Sequence, residues 1–263
     1  MIFGIDTGNT NIVIGGLDGN RMFFTERIAT DISKTELEYA ILFKNLLDIN
    51  GISKDEIEGC IISSVVPPLN MVLLGACERI LGKKAILIGP GVKTGLNILI
   101  DDPATLGADM VVGAVAAKTL YKKQAGSRPM IVIDMGTATT ITLVDEKHCF
   151  RGGAIFPGVK LGFSALVSGT SLLPDIYIEK PKRCIGTSTV DSMRSGAILG
   201  TASLIDGMIE RMEEEFGKPC AHIATGGLAP SVVSCCRHEI VCDDNLLLKG
   251  LWAIYQKNSG RSR

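Results

Sequence analysis

The sequence predicts an α/β fold made of two copies of one unit, each a mixed sheet that opens with a β-hairpin. Three observations carry this. Residues 2–18 read IFGIDTGNTNIVIGGLD and residues 131–145 read IVIDMGTATTITLVD. Each is a β-rich apolar run, a D-x-G-[NT]-x-[NT] turn and a second β-rich run ending in Asp. Asp6 and Asp134 lie 128 positions apart, close to half of the 263-residue chain, which is the spacing of a duplicated unit. Strand-like and helix-like segments alternate around the hairpins, as an α/β fold requires. The alternative is two unrelated hairpins sharing ordinary Asp and Gly turn chemistry; Thr or Asn at matching places in both turns weighs against it. An N-terminal lobe over 1–125 and a C-terminal lobe over 126–263 follow.

The elements can be read in order. After the first hairpin, Thr35 and Glu38 form a capping-box pattern for a helix to about Asn50, with Leu37, Ile41, Leu42 and Leu46 on one face. Strands are expected at 60–65 (CIISSV) and 85–88 (AILI), with a helix from about Leu69 to Leu81 between them. A helix over Gly107–Tyr121 precedes the second hairpin. A Gly-rich stretch and a long helix from about Thr189 to Phe216 follow it. In that helix Gly196, Gly200, Ser203 and Gly207 fall on one face by their spacing of i, i+4, i+7 and i+11. Glycine in a helix costs about 1 kcal/mol relative to alanine, so this face is expected to meet another backbone, within the chain or across a dimer. The tail supplies a strand, HIATGGLA, and an apolar helix ending near Tyr255.

Composition narrows the function classes. A hydrophobic fraction of 46% supplies a substantial core, and a net charge of -1 leaves no electrostatic footprint for nucleic acid or an anionic membrane. The basic tail of Lys257, Arg261 and Arg263 is too short for a binding arm. The apolar stretch Cys60–Ala76 is broken by Pro67, Pro68 and Asn70, whereas a membrane span needs roughly 20 unbroken apolar residues. With no basic leader before Asp6, a cytoplasmic protein is expected. The eight cysteines include no C-x-x-C pair and only three histidines accompany them, so free thiols in a reducing compartment are expected rather than a zinc site.

The turns carry the chemistry. In DTGNTN, Gly8 lets the backbone approach an anion, while amide groups and Asn9, Thr10 and Asn11 can donate to it. Asp6 would repel bare phosphate and makes sense there only with Mg²⁺ or its waters between. DMGTATT repeats this logic with Asp134, Thr137, Thr139 and Thr140. No G-x-x-x-x-G-K-[ST] occurs, so this is not a P-loop. Thr225-Gly226-Gly227 after a strand completes an order of phosphate turn, phosphate turn and adenosine-side turn. That order resembles the ribonuclease H-like, actin-like ATPase superfamily of sugar kinases, Hsp70 and actin. Asp109, in LGADMVVGAVAA, is the candidate general base: a phosphoryl acceptor hydroxyl needs a positioned carboxylate to take its proton. Its bland alternative is a helix N-terminal Asp that satisfies free N–H groups.

Taken together, D-x-G-N-T-N at Asp6–Asn11, K-T-x-x-E-Y at Lys34–Tyr39, SSVVPP at Ser63–Pro68, GPGVKTGLNI at Gly89–Ile98, GAD at Gly107–Asp109, D-x-GTATT at Asp134–Thr140, GG-x-I-x-PG at Gly152–Gly158 and ATGGLA at Ala224–Ala229 resemble the type III pantothenate kinase family. The resemblance spans nearly the whole chain. It implies ATP-dependent phosphorylation of pantothenate's primary hydroxyl, the first step towards coenzyme A, by a homodimer. It implies Asp109 as proton acceptor, with Gly107, Ala108, Met110 and Thr189 at the substrate. Asp6, Thr7, Gly8, Asn9, Thr10 and Asn11 would bind ATP with Mg²⁺, together with Thr137, Gly226 and Gly227. Asp134 would hold a monovalent cation, K⁺ or NH₄⁺.

The chain departs from the family pattern at the acceptor side. Met110 stands where the family has Arg, Ile100 where Tyr is common, Leu172 and Thr187 where Lys is usual, Gly169 replaces an Arg, and Asp244-Asn245 replaces D-P. Pantothenate is a carboxylate, which Arg or Lys ordinarily holds. Two alternatives therefore stand beside the pantothenate kinase: a kinase with a different small-alcohol acceptor, and a non-catalytic ATP-binding regulatory protein.

Overall fold

The computed structural model describes residues 1–19 and 21–260. The basic tail at 261–263 lies outside the described residues. In chain order the elements are β1 (Ile2–Thr7), β2 (Asn11–Asp18), β3 (Arg21–Ala29), α1 (Glu36–Ile49), β4 (Gly59–Ser64), α2 (Asn70–Leu81), β5 (Ala85–Leu87), β6 (Asn97–Ile98) and α3 (Ala108–Leu120). A short α4 (Lys122–Ala125) leads to β7 (Met130–Met135), β8 (Ala138–Val144), β9 (Cys149–Pro157), α5 (Val159–Ser168), α6 (Thr189–Ser195) and α7 (Thr201–Phe216). The chain ends with β10 (Ala221–Thr225), α8 (Ala229–Val233), β11 (Val241–Cys242) and α9 (Leu246–Asn258).

The duplication expected from the two hairpins is present in the topology. The first sheet has the order β3-β2-β1-β4-β5 and the second β11-β10-β7-β8-β9-β6. In both, the hairpin strand pairs antiparallel with its neighbour and parallel with the strand after the helices: β1 with β2 and β4, β7 with β8 and β10. Even the register break recurs, at Gly16/Leu17 between β2 and β3 and at Leu143/Val144 between β8 and β9. The copies differ at the turn. Gly8, Asn9 and Thr10 separate β1 from β2, whereas only Gly136 and Thr137 separate β7 from β8.

The chain forms two compact units. One holds Met1–Leu96, Asp101–Thr119 and the segment from Asn245; the other holds Asn97–Ile100 and Leu120–Asp244. The units thus differ from lobes cut once at residue 125. The C-terminal helix belongs to the first because Leu248, Leu251 and Ile254 of α9 pack with Ile2, Leu17 and Ile61 of the first sheet.

Apolar residues on both faces of β1 explain the unbroken IFGI run. Ile2 faces α3 and α9, while Phe3 and Ile5 join Tyr39, Phe43, Leu73 and Ala76 of α1 and α2. The rings of Phe3 and Phe43 meet edge-on at 5.6 Å. Gly250 of α9 packs on the main chain of α3, where a Cβ would run into the Val112 carbonyl.

Helix α1 begins with the expected capping box: Thr35 Oγ1 accepts from Glu38 N–H, and Glu38 Oε2 accepts from Thr35 N–H at 2.8 Å. Its buried face differs from the expected one. Tyr39, Ala40, Phe43, Leu46 and Leu47 are buried, while Leu37 and Ile41 are about half exposed. The Tyr39–Phe43 pair sets the face, and Tyr39 OH donates to Asp31 O at 2.9 Å. An aliphatic count overlooks both rings.

The long helix expected over 189–216 is interrupted. A π turn at Gly196–Gly200 separates α6 from α7, and Thr201 Oγ1 donates to the Ala197 carbonyl at 2.6 Å. The extra residue in that turn breaks the i, i+4, i+7, i+11 phase, so the four small residues do not share one face. Among the described residues nothing packs closely on Gly196 or Gly200, which removes the intrachain half of the expectation for these two. α7 ends at Gly217, left-handed at φ 76°, whose N–H reaches Glu213 O. Among the described residues no helix is long and apolar enough to cross a membrane.

Candidate functional site

In the first unit the acidic residues of the first turn and of α3 come together. Asp6 lies at the C-terminal end of β1, in register with Val13 of β2 and Ser63 of β4. Although a minor part of the residue reaches solvent, protein atoms surround its carboxylate. Burial pushes its pKa up to about 7, the Ser63 hydroxyl eases it, and the nearby Asp109 charge raises it further. The geometry of Ser63 to the carboxylate is loose: among the described residues its Oγ is a buried polar atom with no partner at strict hydrogen-bond geometry. A desolvated carboxylate beside an unsatisfied hydroxyl is a site that lacks its compensating charge.

Asp109 stands in the first turn of α3. Its Oδ1 accepts from Met110 N–H at 2.7 Å, as the helix-capping alternative expects, yet burial still holds its pKa above the usual carboxylate range. Gly107 makes this pose possible, because a Cβ there would stand 2.5 Å from Asp109 Oδ1. Gly107, Ala108, Asp109 and Met110 are all partly accessible.

The first turn is pinned from β3. Thr30 Oγ1 donates to Gly8 O at 2.6 Å, Thr30 N–H to Thr10 O at 3.0 Å, and Gly8 N–H to Asn11 O at 3.0 Å. Asn9 and Thr10 are exposed and Asn11 partly so. Thr7 differs: the residue is buried, with 1% exposure, and its hydroxyl is closed off from solvent. Alternation along β1 dictates this, since Asp6 and Thr7 point to opposite faces.

In the second unit, Asp134 lies in register with Thr140 of β8 and Thr225 of β10. Thr137 is exposed at the turn and Thr140 partly so, but Thr139 is buried and cannot join them. Two glycine main chains close on this turn. Gly158 donates to Thr137 O at 2.9 Å, and a Cβ on Gly158 would collide with the Gly136 and Thr137 carbonyls. Gly226, at φ +103°, lies against Met135, whose carbonyl would be 2.5 Å from an added Cβ. Gly227 beside it is exposed. Thr30, Ser63 and Gly158 escape the site reading from sequence; Ser63 and Gly158 sit within quoted motifs, but nothing local marks them as partners of a turn.

Thr189 lines a cavity of about 930 Å³ in the same unit, between α5, the 186–188 segment and α6. Val159, Phe163, Leu166, Leu173 and Met193 give it an apolar lining. Thr187, Ser188, Thr189, Ser192 and Thr201 add hydroxyl-bearing residues, and among the described lining residues none is ionisable.

Gly226→Ala is expected to raise KM for ATP about tenfold or more, because left-handed strain and the collision with Met135 cost roughly 1–3 kcal/mol at this turn. Steady-state kinetics with varied ATP checks it; an unchanged KM refutes a nucleotide role for this turn.

A duplicated mixed sheet, each copy opening with a hairpin and a glycine turn, defines the ribonuclease H-like, actin-like ATPase fold. Solved structures agree on the fold. A ROK family glucokinase from Streptomyces griseus, in complex with glucose and AMPPNP, is similar at a TM-score of 0.55 and 12% identity, over 98% of this chain and 99% of that one. A Campylobacter jejuni protein assigned to the Baf family of transcriptional activators reaches a TM-score of 0.61 at 17% identity, over 98% and 99%. The profile of the type III pantothenate kinase family matches residues 2–211. The type III pantothenate kinase of Halalkalibacterium halodurans is 44% identical over 98% of this chain and its own full length. The chain belongs to the type III pantothenate kinase family. It is a kinase, and the family's reaction is the ATP-dependent phosphorylation of pantothenate.

Proposed function

We propose that this chain transfers the γ-phosphoryl group of ATP to the primary hydroxyl of pantothenate, with Asp109 taking the hydroxyl proton. The observation that supports this best is the Asp6–Asp109 pair, two carboxylates near one another with raised pKa values. A raised pKa brings a carboxylate nearer the operating pH, where a general base works best. The pose given by Gly107 and Met110 N–H orients Asp109 without consuming both of its oxygens.

The main-chain amides of Asn9 and Thr10, with the side chains of Asn9, Thr10 and Asn11, bind phosphate oxygens where Gly8 shapes the turn, and Thr137, Gly226 and Gly227 serve the nucleotide. The surroundings of Asp6 fit Mg²⁺ or its water shell: one desolvated carboxylate and an unsatisfied Ser63 hydroxyl. Mg²⁺ usually takes one or two carboxylates and completes its shell with substrate phosphates and water. Bound there, it supplies charge neutralisation for the phosphoryl oxygens. Asp134, flanked in register by Thr140 and Thr225, offers oxygen donors that suit K⁺ or NH₄⁺. Gly107, Ala108, Met110 and Thr189 belong to the acceptor side.

We assign a cytoplasmic homodimer. Leu161, Leu166, Leu172, Tyr177 and Ile185 of the second unit are exposed apolar side chains, and Gly196 and Gly200 leave a helix face open to close approach.

Purified protein given ATP, Mg²⁺, K⁺ and pantothenate is expected to form phosphopantothenate, identified by mass, with matching ADP. Nucleotide binding without that product would overturn the proposal in favour of another alcohol or a binding role.

A further inference from the structure

We propose that Thr30 is a positioning residue for ATP: its hydroxyl draws the Gly8 carbonyl aside and so aims the Asn9 amide at the nucleotide's phosphates. This rests on the reading of DTGNTN as a phosphate-binding turn. Thr30 directly follows β3 and gives the turn two donors, its hydroxyl to Gly8 O at 2.6 Å and its N–H to Thr10 O at 3.0 Å. In a planar trans peptide the N–H points opposite to the preceding carbonyl, and among the described residues no peptide bond is cis. A Gly8 carbonyl held towards Thr30 therefore sends the Asn9 N–H the other way. Asn9 is exposed, and among the described residues its N–H meets no protein acceptor. The groups just before it are committed: Thr7 O accepts from Val65 N–H at 3.0 Å, and Gly8 N–H donates to Asn11 O at 3.0 Å.

The duplicated turn shows what the hydroxyl adds. Gly158 follows β9 as Thr30 follows β3, and its N–H donates to Thr137 O at 2.9 Å, the counterpart of the bond from Thr30 N–H to Thr10 O. The register agrees, with Asn11 opposite Ala29 and Ala138 opposite Pro157. Both copies thus keep the main-chain bond. In the second copy the turn is Gly136 and Thr137 alone, and a Cβ on Gly158 would collide with both of their carbonyls. In the first copy the turn is longer by one residue, and a side chain with a donor stands at the equivalent place. The hydroxyl bond belongs to the longer turn only.

Thr30 is itself braced from α1, which gives the K-T-x-x-E-Y motif a role. Tyr39, fully buried, donates its hydroxyl to Asp31 O at 2.9 Å and accepts from Asp31 N–H at 3.1 Å. Lys34 Nζ pairs with Asp31 Oδ2 at 2.7 Å, while Thr35 and Glu38 cap the helix that carries Tyr39. The residue next to Thr30 is therefore clamped at both main-chain groups. The turn meets its ligand already ordered, which limits the entropic cost of binding.

Calorimetric titration of ATP with Mg²⁺ into the full chain tests this without any acceptor. Thr30→Val removes the hydroxyl and keeps the N–H bond to Thr10 O; its Kd for ATP is expected to rise about three- to tenfold, the worth of one neutral hydrogen bond. Thr30→Ser, which keeps the hydroxyl, is expected to bind as wild type does. Thr30→Ala is expected to match Thr30→Val, which excludes crowding by the added methyl as the cause. In turnover the loss should fall on KM for ATP rather than on kcat, whereas a purely structural role would lower the thermal midpoint and leave the Kd of the folded protein in place. An unchanged Kd in Thr30→Val, or an equal rise in Thr30→Ser, overturns the proposal. A wild type that binds no ATP overturns the functional reading itself, a result distinct from equal binding by wild type and Thr30→Val.

Discussion

Asp109→Asn is expected to lower kcat for pantothenate by about 10²- to 10⁴-fold, the usual contribution of a positioned general base, while ATP binding stays near wild type. Asparagine keeps the oxygen that accepts from Met110 N–H, so the first turn of α3 retains its bond. What it removes is the ability to accept a proton. If Asp109 only satisfied the helix terminus, the loss would appear as roughly 0.5–2 kcal/mol of stability with turnover intact. Rapid-quench measurement of phosphopantothenate formation beside a melting curve separates the two. Because burial raises the Asp109 pKa, the wild-type rate is also expected to fall as pH drops through that raised value. In the Asn variant that limb should disappear.

Asp6→Asn is expected to reduce turnover by at least about a hundred-fold and yet to make the free protein more stable at pH 8. The sign follows from proton linkage. Burial pushes the pKa of Asp6 up to about 7 in the folded protein, from an ordinary value of 3.8. Between these values the folded state holds a proton that the unfolded state has released, so stability falls as pH rises through this window and stays low above it. Below the unfolded pKa both states are protonated and the penalty vanishes. The full shift corresponds to a ceiling of about 4 kcal/mol, which residual solvent contact lowers to a few. Asparagine removes the charge, so its thermal midpoint at pH 8 should exceed that of wild type by several degrees, and the gap should close near pH 4. A lower midpoint at pH 8 would show that the surrounding groups favour the charged form.

Much of this was legible in the sequence. Where a feature is local, the residues announce it. The capping box at Thr35 and Glu38 is four residues long, and the two hairpins need only apolar runs and turn glycines, so both were readable and both are present. Features that depend on partners distant in the chain were less visible. Ser63 matters because parallel pairing sets β4 beside β1, and Gly158 because it closes on a turn some twenty residues earlier. The turn hydroxyls were over-counted for a simpler reason: strand alternation sends Thr7 and Thr139 into the core although they sit amid phosphate-binding patterns. Thr187 illustrates a third limit. Read alone, it is a lost lysine; the guanidinium that reaches it comes from Arg183 through an irregular segment, where no periodicity foretells contact.

The π turn at Gly196–Gly200 behaves as an insertion mark frozen into the chain. One residue advances a helix by about 100°, so the turn sets the azimuth of everything before it against everything after. Thr189 and Met193 face the cavity in their present phase. Excising a single residue between them and α7 would let the helix run regularly and swing both side chains away. In lineages of this protein, a length change of one at this point would therefore rewrite the wall of this cavity without any substitution at Thr189 or Met193.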